Sequence, residues 1–270
     1  MDSAAYEAIT DAPSAAPWIV LVHGFSQDRR AFSAQLDAFR DRYRLLLIDL
    51  PGHGASSERP GPYGHAEMAD AVAQTIDAVV DAAVPCVFWG THTGAAVALL
   101  LASRNTSRFS ALVLEGAVLP GRPMASVTES FGRVQQIARA QGVDAARRAW
   151  FDEAQWFAVM REHPVECRAD AQRAMIGDFA GRPWLEPGSP APVEVSDAML
   201  ATIDRPVLLY NGTRDVADFI ATAEHLERIL PRATRQRIAD AGGFPAWEFP
   251  NRVNRMVAAF LDPQFAARAG

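Results

Sequence analysis

Short apolar runs alternate along this chain with longer segments whose apolar residues recur every three to four positions, and that alternation limits the fold more than any other feature. The runs Trp18 to Val22, Arg44 to Ile48, Val84 to Trp89, Ala111 to Leu114 and Pro206 to Tyr210 read as buried strands, and the more polar Thr234 to Ile238 reads as a strand near a sheet edge. Between them, Phe32, Leu36 and Phe39, then Met68, Val72, Ile76, Val79 and Ala83, and later Val253, Val257 and Phe260 keep helical spacing. Strand and helix in strict succession predict an α/β fold: a mostly parallel sheet covered by helices on both faces.

One stretch departs from the alternation. From about Val118 to Leu200 there is no strong strand, only helical segments such as Phe131 to Ala140 and Asp144 to Val159 and a Pro/Gly-rich loop from Gly181 to Pro192. This predicts a core of residues 1–117 and 201–270 with a helical cap, residues 118–200, over the carboxyl edge of the sheet.

Composition narrows the function. With 49% hydrophobic residues in 270, the chain can build a sizeable core. The net charge of −6 and the lack of a long basic run argue against nucleic acid as a partner. All 26 basic residues are arginine, which removes lysine Schiff-base and P-loop chemistry. Two cysteines, Cys86 and Cys167, make no disulfide framework. The start Met-Asp-Ser-Ala-Ala-Tyr-Glu has no secretory pattern, and no apolar run reaches the roughly 18 residues of a membrane span, so the expectation is a cytoplasmic protein without a membrane partner. No H-x-x-x-H or C-x-x-C spacing suggests a metal, and no cofactor is expected. His65, His163 and His225 lie in helical stretches and are expected at the surface, and Pro263 to Gly270 reads as a frayed tail.

In an open α/β sheet, ligands bind beyond the carboxyl ends of the strands, and four motifs fall there. His23-Gly24-Phe25 follows the first predicted strand and can aim the Phe25 N–H into a site. Asp49-Leu50-Pro51-Gly52-His53-Gly54 follows the second and reads as a tight turn that includes His53. Gly90-Thr91-His92-Thr93-Gly94 follows the third and opens a helix; its small flanking residues permit the sharp turn that exposes a central side chain and the following N–H, that of Thr93. Last come Gly212-Thr213-Arg214-Asp215 and Gly242-Gly243-Phe244-Pro245-Ala246-Trp247-Glu248.

In order and spacing these motifs resemble the α/β-hydrolase superfamily, in particular small esterases and C–C hydrolases with a helical cap, over roughly Trp18 to Leu261. The resemblance implies an α/β-hydrolase fold with a catalytic acid at Asp215. It also implies a nucleophile where His92 stands and a catalytic histidine where Gly243 stands, so this is not a standard Ser-His-Asp hydrolase. Glu115 sits where haloalkane dehalogenases of the same superfamily carry their acid, and it reads equally as an anchor for the cap hinge.

The expected function is a hydrolase-like enzyme on a small ester, lactone or related carbonyl compound. His92 would act as general base, oriented by Asp215 or Glu115, with Phe25 and Thr93 N–H groups as the oxyanion hole and Trp89, Phe244 and Trp247 lining the substrate site. On this reading activity rises near the ordinary histidine pKa of about 6.5. Attack by His92 itself through an acyl-imidazole ranks lower. Two other classes stay open: a catalytically degenerate small-molecule binder, and a cofactor-free oxygenase or lyase. Oligomeric state is not readable.

Overall fold

The computed structural model describes residues 3–266. Its sheet has seven strands: β1 (Tyr6–Ile9), β2 (Trp18–Val22), β3 (Arg44–Ile48), β4 (Cys86–Thr91), β5 (Ala111–Glu115), β6 (Val207–Gly212) and β7 (Ala233–Ile238), in the order β1-β3-β2-β4-β5-β6-β7. Every pair is parallel except β1 with β3. β1 has no counterpart among the predicted strands; three of its four residues are exposed, so it lacks an apolar signature. β4 begins two residues later than its apolar run and extends to Thr91. The Pro85 carbonyl instead accepts from the Trp18 N–H, because proline itself has no N–H to give a ladder.

The helices are α1 (Ser33–Phe39), α2 (His65–Val79), α3 (Thr93–Arg104), α4 (Ala125–Gln141), α5 (Val143–Glu153), α6 (Ala158–Glu162), α7 (Ala169–Asp178), α8 (Arg182–Leu185), α9 (Asp197–Leu200), α10 (Ala217–Ile229), α11 (Pro245–Glu248) and α12 (Pro250–Ala266). The predicted helix from Asp144 to Val159 is broken: α5 stops at Glu153, and a 3₁₀ turn covers Gln155–Phe157. The predicted frayed tail is helical as far as Ala266, and residues 267–270 lie outside the described residues. No described helix is long and apolar enough to cross a membrane.

The pleat divides the strand residues between two layers. Val20, Val22, Leu46, Ile48, Phe88, Leu112 and Leu114 pack on one face with α2 and α3. Ile19, Leu21, Leu45, Leu47, Val87, Trp89, Val113 and Tyr210 pack on the other with α1 and α12. A third apolar cluster joins α4 to α8 with Phe219, Phe244 and Trp247 beyond the carboxyl edge of the sheet. All the motif loops open toward that third cluster.

Candidate functional site

The turn from β4 into α3 carries His92 at φ 46°, ψ −104°, a conformation that a side-chain-bearing residue adopts at a cost. Close packing enforces it. A Cβ at Gly90 would overlap the Gly94 backbone, and one at Gly94 would overlap the Val22 carbonyl, so the loop closes only with glycine at both places. The His92 N–H donates to the Glu115 carbonyl at 2.9 Å, and its carbonyl accepts from the Ala96 N–H at 3.0 Å, which ties the turn to β5 and starts α3.

The His92 ring is almost enclosed. It stacks on Phe219 with centroids 4.5 Å apart and planes 12° apart, and Phe244 meets it edge-on at 4.6 Å. Its Nε2 points toward Gly116; a Cβ there would overlap Nε2 and Cδ2, and Gly116 also holds φ +52°, so glycine is required twice over. Nε2 is buried and has no hydrogen-bond partner. The Gly243 carbonyl lies near enough to favour the protonated ring slightly, although it forms no proper hydrogen bond. Desolvation outweighs it and pushes the His92 pKa down to about 3. The imidazole is therefore neutral at any ordinary pH, so the expected rise in activity near 6.5 is not what this environment supports.

Neither candidate carboxylate is hydrogen-bonded to His92. Glu115 accepts from the Ala246 N–H and the Thr91 hydroxyl, both at 2.7 Å. Asp215 accepts from Asn211 Nδ2 and from the Val216 N–H, again at 2.7 Å. Glu248 accepts from the Gly242 N–H at 2.6 Å and leaves Oε1 unpaired. Burial raises all three, Glu115 and Asp215 to about 7 and Glu248 to about 8; their mutual repulsion adds to the shifts at Glu115 and Glu248, and no arginine or histidine offsets any of them.

Gly243, where the resemblance places a histidine, is filled from outside. A Cβ on it would stand 2.5 Å from Trp156 Cβ, 2.9 Å from Trp156 O and 3.0 Å from Trp156 Cα, and the Gly243 N–H donates to the Trp156 carbonyl at 3.3 Å. The segment between β5 and β6 thus descends onto the position that a catalytic imidazole would occupy.

The remaining candidates separate. Among the described residues, the N–H groups of Phe25 and Thr93 donate to no protein acceptor, and a Cβ on Gly24 would meet His92 Cβ and Nδ1 at 3.5 Å. The Phe25 ring enters a cluster with Phe131, Phe179, Trp150 and Trp184. Trp89 does not join the site. The pleat turns it to the α1 side, against Phe32 and Phe39, and its Nε1 donates to the Tyr210 hydroxyl. Trp247 lies beyond Phe244, its Nε1 donating to the Cys167 carbonyl while Arg168 stacks on its ring at 4.1 Å. His65 is half-buried, not exposed, at the start of α2. His23 is fully satisfied: Nδ1 donates to the Gly24 carbonyl and Nε2 accepts from the Leu50 N–H. Phe219 and Trp156 were beyond reach of the sequence, since both sit in ordinary helical or loop context. Gly116 carried a signal, a glycine directly after the acid that ends a strand. Among the described residues no group of three ligating side chains is arranged for a metal ion.

A parallel sheet with an elbow at the carboxyl end of its fourth strand, an acid after the sixth and a facing backbone-amide loop defines the class of α/β hydrolases. The family model for the α/β hydrolase fold matches residues 17–250, and the chain belongs to that family. It is 26% identical over 253 residues to the pimeloyl-[acyl-carrier protein] methyl ester esterase of Methylococcus capsulatus, covering 91% of this chain and 94% of that one. A thermophilic esterase from Thermogutta terrifontis superposes with a TM-score of 0.79 at 25% identity, over 96% of this chain and 93% of the other. The enol-lactonase of Burkholderia xenovorans LB400 gives a TM-score of 0.79 at 24% identity over 95% of each chain, a likeness of fold.

Proposed function

We propose that the chain is a hydrolase of small esters or lactones that uses His92 as a neutral general base in place of the family's serine. The helical segment 118–200 acts as its cap, and the Phe25 and Thr93 N–H groups form the oxyanion hole. The carrying observation is the elbow imidazole itself. A strained backbone holds it, glycines clear space around it, and its buried Nε2 lacks a partner, an arrangement that costs stability and that a purely structural role does not need.

A neutral imidazole has one bare nitrogen, which can take a proton from a water attacking the acyl carbon while the two N–H groups hold the developing oxyanion. The imidazolium that results must then pass its proton to the leaving alkoxide. Asp215 and Glu115 would act indirectly, through Asn211 and Thr91 and the loops they anchor. The similarity to the pimeloyl-[acyl-carrier protein] methyl ester esterase supports the ester class. Phe219 and Phe244, which cover His92, come from the core and are backed by Trp156 and Phe157 of the cap, so both the stack and the cap residues behind it must shift before substrate enters.

The second reading, binding without turnover, is favoured by Trp156 filling the place of the catalytic histidine. Acid release from short acyl esters and lactones, native against His92→Ala, separates the two. Release that vanishes in the variant supports the base. Release no greater than buffer, or equal in both proteins, removes His92 from hydrolysis; ligand-dependent thermal stabilisation then marks a binder and O₂ consumption an oxygenase.

A further inference from the structure

The loop that carries the Phe25 N–H is held from two sides. Its ends are tied to the sheet: His23 Nε2 accepts from the Leu50 N–H at 3.0 Å, and the Arg29 N–H donates to Asp49 at 2.8 Å. Between those ends, among the described residues, every hydrogen bond from residues 24–28 to a distant part of the chain runs to segment 118–200. Trp150 Nε1 on α5 donates to Ser26 Oγ at 2.7 Å, Gln27 Nε2 donates to Gln172 Oε1 on α7 at 3.2 Å, and the Asp28 N–H donates to Met175 Sδ on α7 at 3.4 Å. Ser26, Gln27, Trp150 and Gln172 are all buried, so losing one partner strands the other away from water.

These bonds bear on Phe25 from both neighbours. Ser26 follows it with φ 62°, a left-handed conformation that serine adopts at a cost, and the bond from Trp150 helps to hold it there. Gln27 folds back on the loop: its Oε1 accepts from the Gly24 N–H at 3.2 Å, so one side chain joins the residue before Phe25 to a helix of the cap. The Phe25 ring itself packs on Phe131 of α4, with centroids 4.6 Å apart.

We propose that Trp150 and Gln172 are positioning residues for the oxyanion hole, which is aligned only while segment 118–200 is seated on the carboxyl edge of the sheet. Neither reaches a reacting atom; they act through Ser26 and Gln27 on the Phe25 N–H. The inference rests on the hydrolase reading and adds its regulation. Substrate entry shifts the same segment, so the donor loop loosens as the site opens and is set again as it closes over an ester. A donor that strengthens in the transition state is felt in kcat and not in KM.

The test compares native protein with Trp150→Phe, which keeps a ring and removes the N–H, and with Gln172→Leu, which removes the acceptor. Two readouts are taken: steady-state hydrolysis of methyl butanoate, and amide hydrogen exchange over residues 24–28 with β5 as the internal reference. One oxyanion donor is worth about 10²–10³ in kcat, and here it is displaced and not removed, so kcat should fall about tenfold or more while KM stays within about twofold. Exchange over residues 24–28 should quicken about tenfold while β5 exchanges as in native protein, which separates a loosened loop from a general loss of stability. Gln172→Leu serves alone if Trp150→Phe does not fold. Unchanged kcat, a loss that appears in KM alone, native exchange at residues 24–28, or a quickening shared equally by β5 overturns the positioning role. Should native protein release no acid from any short ester or lactone, exchange still decides. Quickening confined to residues 24–28 then keeps the cap's hold on the loop and rejects the hydrolase reading alone, whereas unchanged exchange rejects both.

Discussion

Gly243→Ala should destabilise this protein, although glycine-to-alanine changes often do the opposite. Gly243 lies outside the left-handed region, so alanine can adopt its backbone, and the stiffer unfolded chain alone would stabilise the fold by about 0.4–1 kcal/mol. Against this stands the approach of Trp156. The new methyl would lie 2.5 Å from a carbon that prefers about 3.5–4.0 Å, with the Trp156 carbonyl oxygen at 2.9 Å and Cα at 3.0 Å. Two of the three atoms are backbone, so no rotamer change relieves them, and the whole turn at Gln155–Phe157 must lift. Overpacking of this kind costs about 1–3 kcal/mol. Lifting also stretches the 3.3 Å bond from the Gly243 N–H to the Trp156 carbonyl, worth about another 1 kcal/mol. The net expectation is a loss of about 1–3 kcal/mol, read as a fall in Tm of roughly 3–8 °C by calorimetry. Trp156→Gly in the same chain should return only part of it, because it removes one close atom of three. A Gly243→Ala protein as stable as the native one, or more stable, would refute the close approach of Trp156 to the place where the family's histidine would stand.

Other consequences are as direct. Glu115, Asp215 and Glu248 keep protons in the folded state up to about pH 7–8 that the unfolded chain releases near 4, so their stabilising effect is complete below about pH 4 and is lost as pH rises through 8. Tm should fall by at least about 4 °C between pH 5.5 and 8.5, equivalent to roughly 1–2 kcal/mol, and Glu248→Gln should flatten the slope in calorimetric scans. Gly116→Ala should cost more than Gly243→Ala because it adds left-handed strain to overlap with the His92 ring. In urea titrations His92→Ser should relieve the steric part, giving a coupling of about 1 kcal/mol or more, whereas additivity would place the ring elsewhere.

Much of the fold was legible because its strands are buried on both faces and so read as unbroken apolar runs. β1 escaped because an exposed edge strand pairs through its backbone and leaves no apolar pattern. The elbow was legible from two glycines around His92, since sterics force glycine there whatever the central residue. What lies against the imidazole was not. Phe219 and Trp156 arrive from segments far apart in the chain, and no spacing rule brings them to His92 or Gly243. Trp89 misled for the opposite reason: it adjoins the elbow in sequence, yet the pleat sends it to the other layer. The tilt of the His92 pKa toward about 3 likewise belongs to the enclosure and not to the residue.

The most direct test of the account is the rate of ester hydrolysis at pH 5.5 and 7.5 by native protein and His92→Gln. An ordinary histidine of pKa about 6.5 would be some nine-tenths protonated at pH 5.5 and would lose about tenfold in rate. The enclosed, neutral His92 should keep its basic form at both pH values, and His92→Gln should be slower by about a hundredfold or more at each. Equal rates in the two proteins, or a tenfold fall in the native rate at pH 5.5, would contradict the neutral base at the elbow.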